Sequence, residues 1–251
     1  MEIMDSYLPE KQVVVAGYPR SGNTWLARLL GDVLDSPVTG WKNAKPLSEE
    51  GANRQGEYVV RQLHLQPMYG THKLEFMPSS YHANIPSWNG EKVIHIYRDP
   101  RDVAVSVMGY WNIDSMDETL DDMINGKHPI KTHGSWLNFV TNWFAVEDIP
   151  VIHVSYETLH ADPVSTISIM LSRMYIGFNM NKIERAVKKQ SFENKRQHIA
   201  THGADYNYGR DIQLKAMRKG IVGDWKNYFN EDQFQLANET WGDIMRTLRY
   251  A

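Results

Sequence analysis

Three short apolar runs stand out along the chain, and each is followed by apolar residues at helical spacing. Residues 12–17 are valine-rich and end in glycine. Beyond a turn at 18–23, Trp25, Leu26, Leu29, Leu30, Val33 and Leu34 recur with a helical period before Pro37. Residues 92–97 form the second run, followed past Pro100 by Val103, Ala104, Val107 and Met108. Residues 150–154 form the third, followed by Pro163 and a face of Ile167, Ile169, Met170, Leu171 and Met174. Continuous rather than alternating apolar strands, interleaved with helices, predict a parallel sheet covered on both faces. Helical patterns also cover 120–125, 136–146, 183–190 and 232–248. The expected fold class is α/β with three layers, a mostly parallel central sheet between helices. The polar, turn-rich stretches 40–56, 78–90 and 198–219 lack linker composition and are expected as long surface loops of one domain spanning 1–251.

Composition narrows the chemistry. The absence of cysteine among 251 residues removes disulfides, thiolate metal sites and cysteine nucleophiles. A net charge of −3 without a basic tail argues against nucleic acid or an anionic membrane surface as partner. No apolar run approaches the roughly 18 residues of a membrane span, and the N-terminus lacks a signal-peptide pattern, so the expected location is cytoplasmic.

Ligands of parallel sheets bind at the carboxyl ends of strands, which directs attention to the first turn. Residues 17–25 read Gly-Tyr-Pro-Arg-Ser-Gly-Asn-Thr-Trp. Two glycines five apart let the backbone wrap an anion, and the amides of the following helix N-terminus aim partial positive charge at it. Arg20 adds a cation. The spacing matches the nucleotide-triphosphate loop, but Asn23 stands where that motif requires lysine, which weighs against an ATPase or kinase. A plain strand-to-helix turn has no need of Arg20, Ser21 and Thr24 together.

This stretch resembles the 5′-phosphosulfate loop of sulfotransferases that use 3′-phosphoadenosine 5′-phosphosulfate (PAPS), and further motifs of that family follow in order. Residues 93–110, with Arg98-Asp99-Pro100 and Ser106, are similar to its 3′-phosphate motif. Tyr156-Glu157, Ser191-Phe192, and Arg218-Lys219-Gly220 with Gly223-Asp224-Trp225-Lys226-Asn227 match three later signatures. The resemblance runs from about residue 13 to 239 and implies a P-loop-like fold. It places Arg20, Ser21, Gly22, Asn23, Thr24 and Trp25 around the 5′ end of the nucleotide and Arg98 and Ser106 on its 3′-phosphate. It also implies Tyr156 and Phe192 against the nucleotide, Phe192 stacked on the adenine, and Arg218, Lys219 and Gly220 closing over the 3′-phosphate. The implied donor is PAPS, the product adenosine 3′,5′-bisphosphate, and the acceptor a hydroxyl of a small molecule, lipid or sugar, with no metal. Trp25 and Tyr156 equally suit core packing. Arg101-Asp102 reads as a solvated pair without a role.

An acceptor hydroxyl must lose a proton, so a base is required, and histidine suits that task. The resemblance of Gly70-Thr71-His72-Lys73 to the family's Lys-Thr-His segment makes His72 the expected base, with Arg20 the other catalytic candidate. His95 and His153 fall inside predicted strands and are expected in the core, whereas His82, His128, His133, His160, His198 and His202 lack motif support. Several positions depart from the family pattern. Arg20 replaces a lysine, keeps its charge and cannot give up its proton. Gly70 replaces a lysine and Gln190 a threonine. Residues 226–235 lose the pattern of the family's dimer motif, so dimerisation through it is not expected. Residues 200–219 read as a lid leading into the Arg218–Lys219 clamp. Two other readings stay open, a nucleotide-dependent kinase or phosphotransferase and a catalytically weak adenine-nucleotide-binding protein.

Overall fold

The computed structural model describes residues 11–40, 51, 53–64, 92–127, 133–203 and 210–250. In chain order the elements are β1 (Lys11–Ala16), α1 (Asn23–Leu34), β2 (Val38–Thr39), β3 (Tyr58–Leu63), β4 (Lys92–Tyr97), α2 (Pro100–Trp111), α3 (Met116–Asn125) and α4 (Trp136–Phe144). Then come β5 (Val151–Ser155), α5 (Tyr156–Ala161), α6 (Pro163–Arg173), α7 (Met180–Lys189), α8 (Phe192–His202) and α9 (Arg210–Ala216). A 3₁₀ turn (Asp224–Asn227) and α10 (Glu231–Thr247) complete the described chain. Among the described residues the five strands are all parallel, in the order β2-β3-β1-β4-β5. Among the described residues no helix is long and apolar enough to cross a membrane.

Alternation along each strand divides the core in two. Val14 and Ala16 of β1 and Val93 of β4 face one layer, built from Val103, Ala104 and Val107 of α2, Leu120 and Met123 of α3, Trp136, Phe139 and Trp143 of α4, and Trp241 of α10. Val13, Val15, Ile94 and Ile96 face the other, built from Leu26, Leu29 and Leu30 of α1, Ile167 and Leu171 of α6, and Ile183 of α7. The helix after β1 and the helix after β4 therefore cover opposite faces. Their starts diverge above the adjacent carboxyl ends of β1 and β4, opening the crevice where such sheets bind ligands.

Sequence reading missed β2 and β3. β2 has two residues, and β3 breaks its apolar run with the half-buried Arg61 and the buried Gln62. The stretch 198–219, expected as a loop, contains the end of α8 and all of α9; their polar composition hides the helical period. The stretch 78–90 and most of 40–56 lie outside the described residues.

His95 is fully buried, as expected, whereas His153 beside it on the adjacent strand is half-buried rather than in the core, and the pair is not fully satisfied. Their Nδ1 atoms are 3.1 Å apart, one donating to the other. His95 stacks on Trp143 and His153 on Phe144. His95 Nε2 is buried with no hydrogen-bond partner. An orphaned N–H is costlier than an orphaned lone pair, so the shared proton belongs on His95 Nδ1. Burial holds His153 down to about 4 and, with His153 beside it, His95 well below its ordinary value. Between pH 6.5 and 4 the unfolded chain binds protons that the folded chain excludes, so stability should fall as pH falls through that window. Urea unfolding at several pH values checks this, because a His95→Leu/His153→Leu double variant should lose much of the wild-type slope. An unchanged slope would contradict it.

Candidate active site

The turn after β1 is shaped by close approach. A Cβ on Gly17 would lie 2.4 Å from the Ile96 carbonyl oxygen, so only glycine lets the chain leave β1 against β4. Arg20 and Gly22 take left-handed conformations, with φ of 71° and 98°, and a Cβ on Gly22 would also strike the Tyr156 ring. Gly22 is the N-cap of α1 and offers no side-chain cap. By contrast Ser115, Ser135, Asp162, Ser191 and Asn230 each cap their helices through a side-chain oxygen. The first amides of α1 thus have no side-chain acceptor and face the crevice with the positive end of the helix dipole. Ser21 adds a fully buried hydroxyl with no hydrogen-bond partner. An uncapped helix start with an orphaned hydroxyl beside it fits an anion.

Asn23, at the position of the triphosphatase lysine, turns inward. Its Nδ2 donates to the carbonyls of Gly17 (2.9 Å) and Leu63 (3.3 Å), so its side chain fastens the turn to β3 and only its amide is left for an anion. Thr24 donates to Gln62 Oε1 at 3.0 Å. Trp25 donates to the Gln190 carbonyl and meets Tyr156 edge-on at 5.7 Å. It packs, partly buried, against the core of the α1 face.

Arg98, at the end of β4, lies over the Tyr156 ring at 4.2 Å and donates to the carbonyls of Arg20 and Ile221. Its Nε is buried without a partner. Arg20 donates through Nε to Ser106 Oγ (3.1 Å) and through Nη2 to the Ala216 carbonyl (2.6 Å), with Tyr110 stacked on its guanidinium at 4.3 Å. Arg20 of the cradle, Arg98 and Ser106 of α2 thus converge at one place. Phe192 joins them through Gly220, where a Cβ would lie 2.7 Å from the ring.

The segment that carries Arg218 and Lys219 is strapped down by side chains. Besides Arg20 and Arg98, Arg196 donates to the Met217 carbonyl at 2.7 Å and His160 meets the Gly220 carbonyl at 2.9 Å. Asp102 accepts from the amides of Gly223 (2.7 Å) and Trp225 (3.0 Å). Arg101 pairs with Asp99, donates to the Tyr250 carbonyl and stacks on Trp225 at 4.0 Å. Arg101 and Asp102 are therefore buried anchors, not the solvated pair their charges suggested. The signal that sequence reading passed over is position, since both lie on the first turn of the helix that leaves the crevice.

A further residue, His64, was missed altogether. His64 directly follows β3, where its ring sits beside the cradle. Its Nδ1 is 2.9 Å from the Gly17 carbonyl, which can only accept, so Nδ1 carries the proton and Nε2 the lone pair. Nε2 in turn receives Gln62 Nε2 at 3.1 Å. Burial, then His133 and Arg20, lower its pKa to about 4, against the opposing bond to Gly17. The position of a histidine at a strand's carboxyl end would have found it, had β3 been recognised. His72, Gly70 and Lys73 lie outside the described residues. Among the described residues no three His, Asp or Glu side chains are grouped to hold a metal.

Comparison with known proteins gives this geometry a lineage. The chain is 28% identical to Sulfotransferase 1B1 of Mus musculus over 250 residues, covering 88% of this chain and 78% of that protein. It is 26% identical to Sulfotransferase 2A1 of Homo sapiens over 259 residues, covering 95% and 87%. In fold it is similar to mouse sulfotransferase SULT7A1 complexed with PAP, with a TM-score of 0.70 at 23% identity, over 96% of this chain and 88% of that one. The family model of the sulfotransferase domain matches residues 10–249, and the chain belongs to that family.

Proposed function

We propose that this protein transfers a sulfuryl group from PAPS to a hydroxyl of a small molecule. The observation that carries the reading is the pairing of two anion sites across one crevice. The first comprises the uncapped start of α1 with the unpartnered Ser21 hydroxyl. The second comprises Arg98 with its spare donor, Ser106, and the strapped Arg218 and Lys219. Relatives named as sulfotransferases, and a PAP complex of similar fold, support the same nucleotide. When bound, PAPS supplies an activated sulfuryl group on its 5′-phosphate.

The residues would divide the work. The amides of 22–25 and Ser21 hold the 5′ end, and Arg20 balances negative charge there without giving up a proton. Arg98, Ser106, Arg218, Lys219 and the Gly220 amide hold the 3′-phosphate through charge-assisted bonds. Trp25, Tyr156 and Phe192 supply aromatic surface for the adenine. We assign the base to His64, whose neutral Nε2 can take the acceptor's proton once the Gln62 amide turns aside. The bond from Nδ1 to Gly17 would then stabilise the imidazolium that forms. His72 is the rival assignment, resting on the Lys-Thr-His resemblance alone. The acceptor class, an apolar alcohol, phenol or sugar, is left to turnover assays across all three.

Three outcomes test the reading. Adenosine 3′,5′-bisphosphate should raise the thermal midpoint with a chelator present, and more than ATP with magnesium does; the reverse order would favour a phosphotransferase. Lys219→Ala should weaken bisphosphate binding about 10- to 150-fold, as one charge-assisted bond is lost; an unmoved dissociation constant would displace the 3′-phosphate site. His64→Ala should cut turnover about 10²–10⁴-fold while bisphosphate affinity stays within a few fold. Because its folded pKa is about 4, the ring stays neutral at pH 6–8 and the wild-type acid limb of kcat/KM should lie nearer 4 than 6.5. If His72→Ala is inactive and His64→Ala is not, the base is His72.

A further inference from the structure

Arg218 and Lys219 are adjacent cations on an irregular segment, and something must hold two long like-charged side chains in one place. Left alone they would repel and lose rotamer freedom on binding a ligand. Asp224 meets them from one side, taking Arg218 Nη2 at 2.6 Å and Lys219 Nζ at 3.1 Å. It is also bonded by Asn227 Nδ2 at 3.0 Å and is therefore committed to its own turn. Tyr228 meets them from another side. Its hydroxyl accepts from Arg218 Nη1 at 2.9 Å, and its ring lies 5.2 Å from Arg218 Cζ and 5.0 Å from Lys219 Nζ. Both distances are within cation–π range. Arg218 Nε is buried without a partner, so the guanidinium keeps a donor after Asp224 and Tyr228 are served.

We propose that Tyr228 is a positioning residue that pre-orders Arg218 and Lys219 for the nucleotide's 3′-phosphate, and so sets discrimination between a nucleotide that carries this phosphate and one that lacks it. The inference rests on the proposed assignment of these two cations to the 3′-phosphate. Its role is distinct from that of Asp224, which neutralises charge; the tyrosine fixes direction, through one hydroxyl bond and one aromatic face shared by both cations.

The test is calorimetric titration of adenosine 3′,5′-bisphosphate and adenosine 5′-monophosphate into wild type, Tyr228→Phe and Tyr228→Leu. The wild type should prefer the bisphosphate by at least about 10-fold. Tyr228→Phe loses the hydroxyl bond and should raise the bisphosphate dissociation constant about 3- to 10-fold. Tyr228→Leu also loses the ring and should raise it about 10- to 50-fold, with the monophosphate constant within about twofold in both variants. A merely structural role would weaken both nucleotides in parallel, and that result, or an unchanged preference in both variants, overturns the proposal. If Tyr228→Leu does not fold, Tyr228→Phe decides alone. A wild type without any preference would instead remove the 3′-phosphate assignment of Arg218 and Lys219, and the role of Tyr228 with it.

Discussion

Between Met217 and Gly223 the backbone belongs to no helix or strand, yet it crosses the crevice where the cations are needed. Its polar groups must therefore be satisfied from outside. The carbonyls of Ala216, Met217, Gly220 and Ile221 are met by Arg20, Arg196, His160 and Arg98, and the amides of Gly223 and Trp225 by Asp102. These side chains come from the cradle turn, α8, α5, the end of β4 and α2. The strap is thus a readout of how the surrounding elements are placed, and the placement follows from the switch between β1 and β4 that sends their helices to opposite faces. One of the side chains that position the strap also keeps a donor unspent. It is Arg98, because a guanidinium has enough donors to hold a carbonyl and keep one in reserve.

The same reasoning explains why arginine at position 20 is not a neutral exchange for lysine. A compact ammonium could not stack on Tyr110 and span Ser106 and the Ala216 carbonyl in two directions at once. Arg20 trades proton mobility for a fixed link between cradle and strap. Asn23 makes the complementary change, since its amide stitches Gly17 to Leu63 where a triphosphatase would extend a cation. The glycine turn is kept, while the position of the triphosphatase cation is given over to fastening that turn to β3.

Much of this was legible in the sequence, for identifiable reasons. Valine and isoleucine runs marked β1 and β4, which are buried on both faces, and β5 at the sheet edge, and the cradle was legible because Gly17 and Gly22 stand where the backbone permits no side chain. What escaped had mixed character. Arg61 and Gln62 disguised β3, and with it His64 at its end. Arg101 and Asp102 look like surface charges in a sequence, and only burial against Trp225 and the strap amides reveals them as anchors. The polar run of α8 lacks an amphipathic face because little of it packs against the core; Lys195 and Ile199 are its buried residues.

The central claim is that cradle and strap seat opposite ends of one nucleotide. Amide hydrogen exchange followed by mass spectrometry, with and without adenosine 3′,5′-bisphosphate, tests it most directly. The account predicts slower exchange at the amides of 22–25 and of 217–225 together, saturating at the same ligand concentration. Protection of only one of the two segments, or of neither, would contradict it.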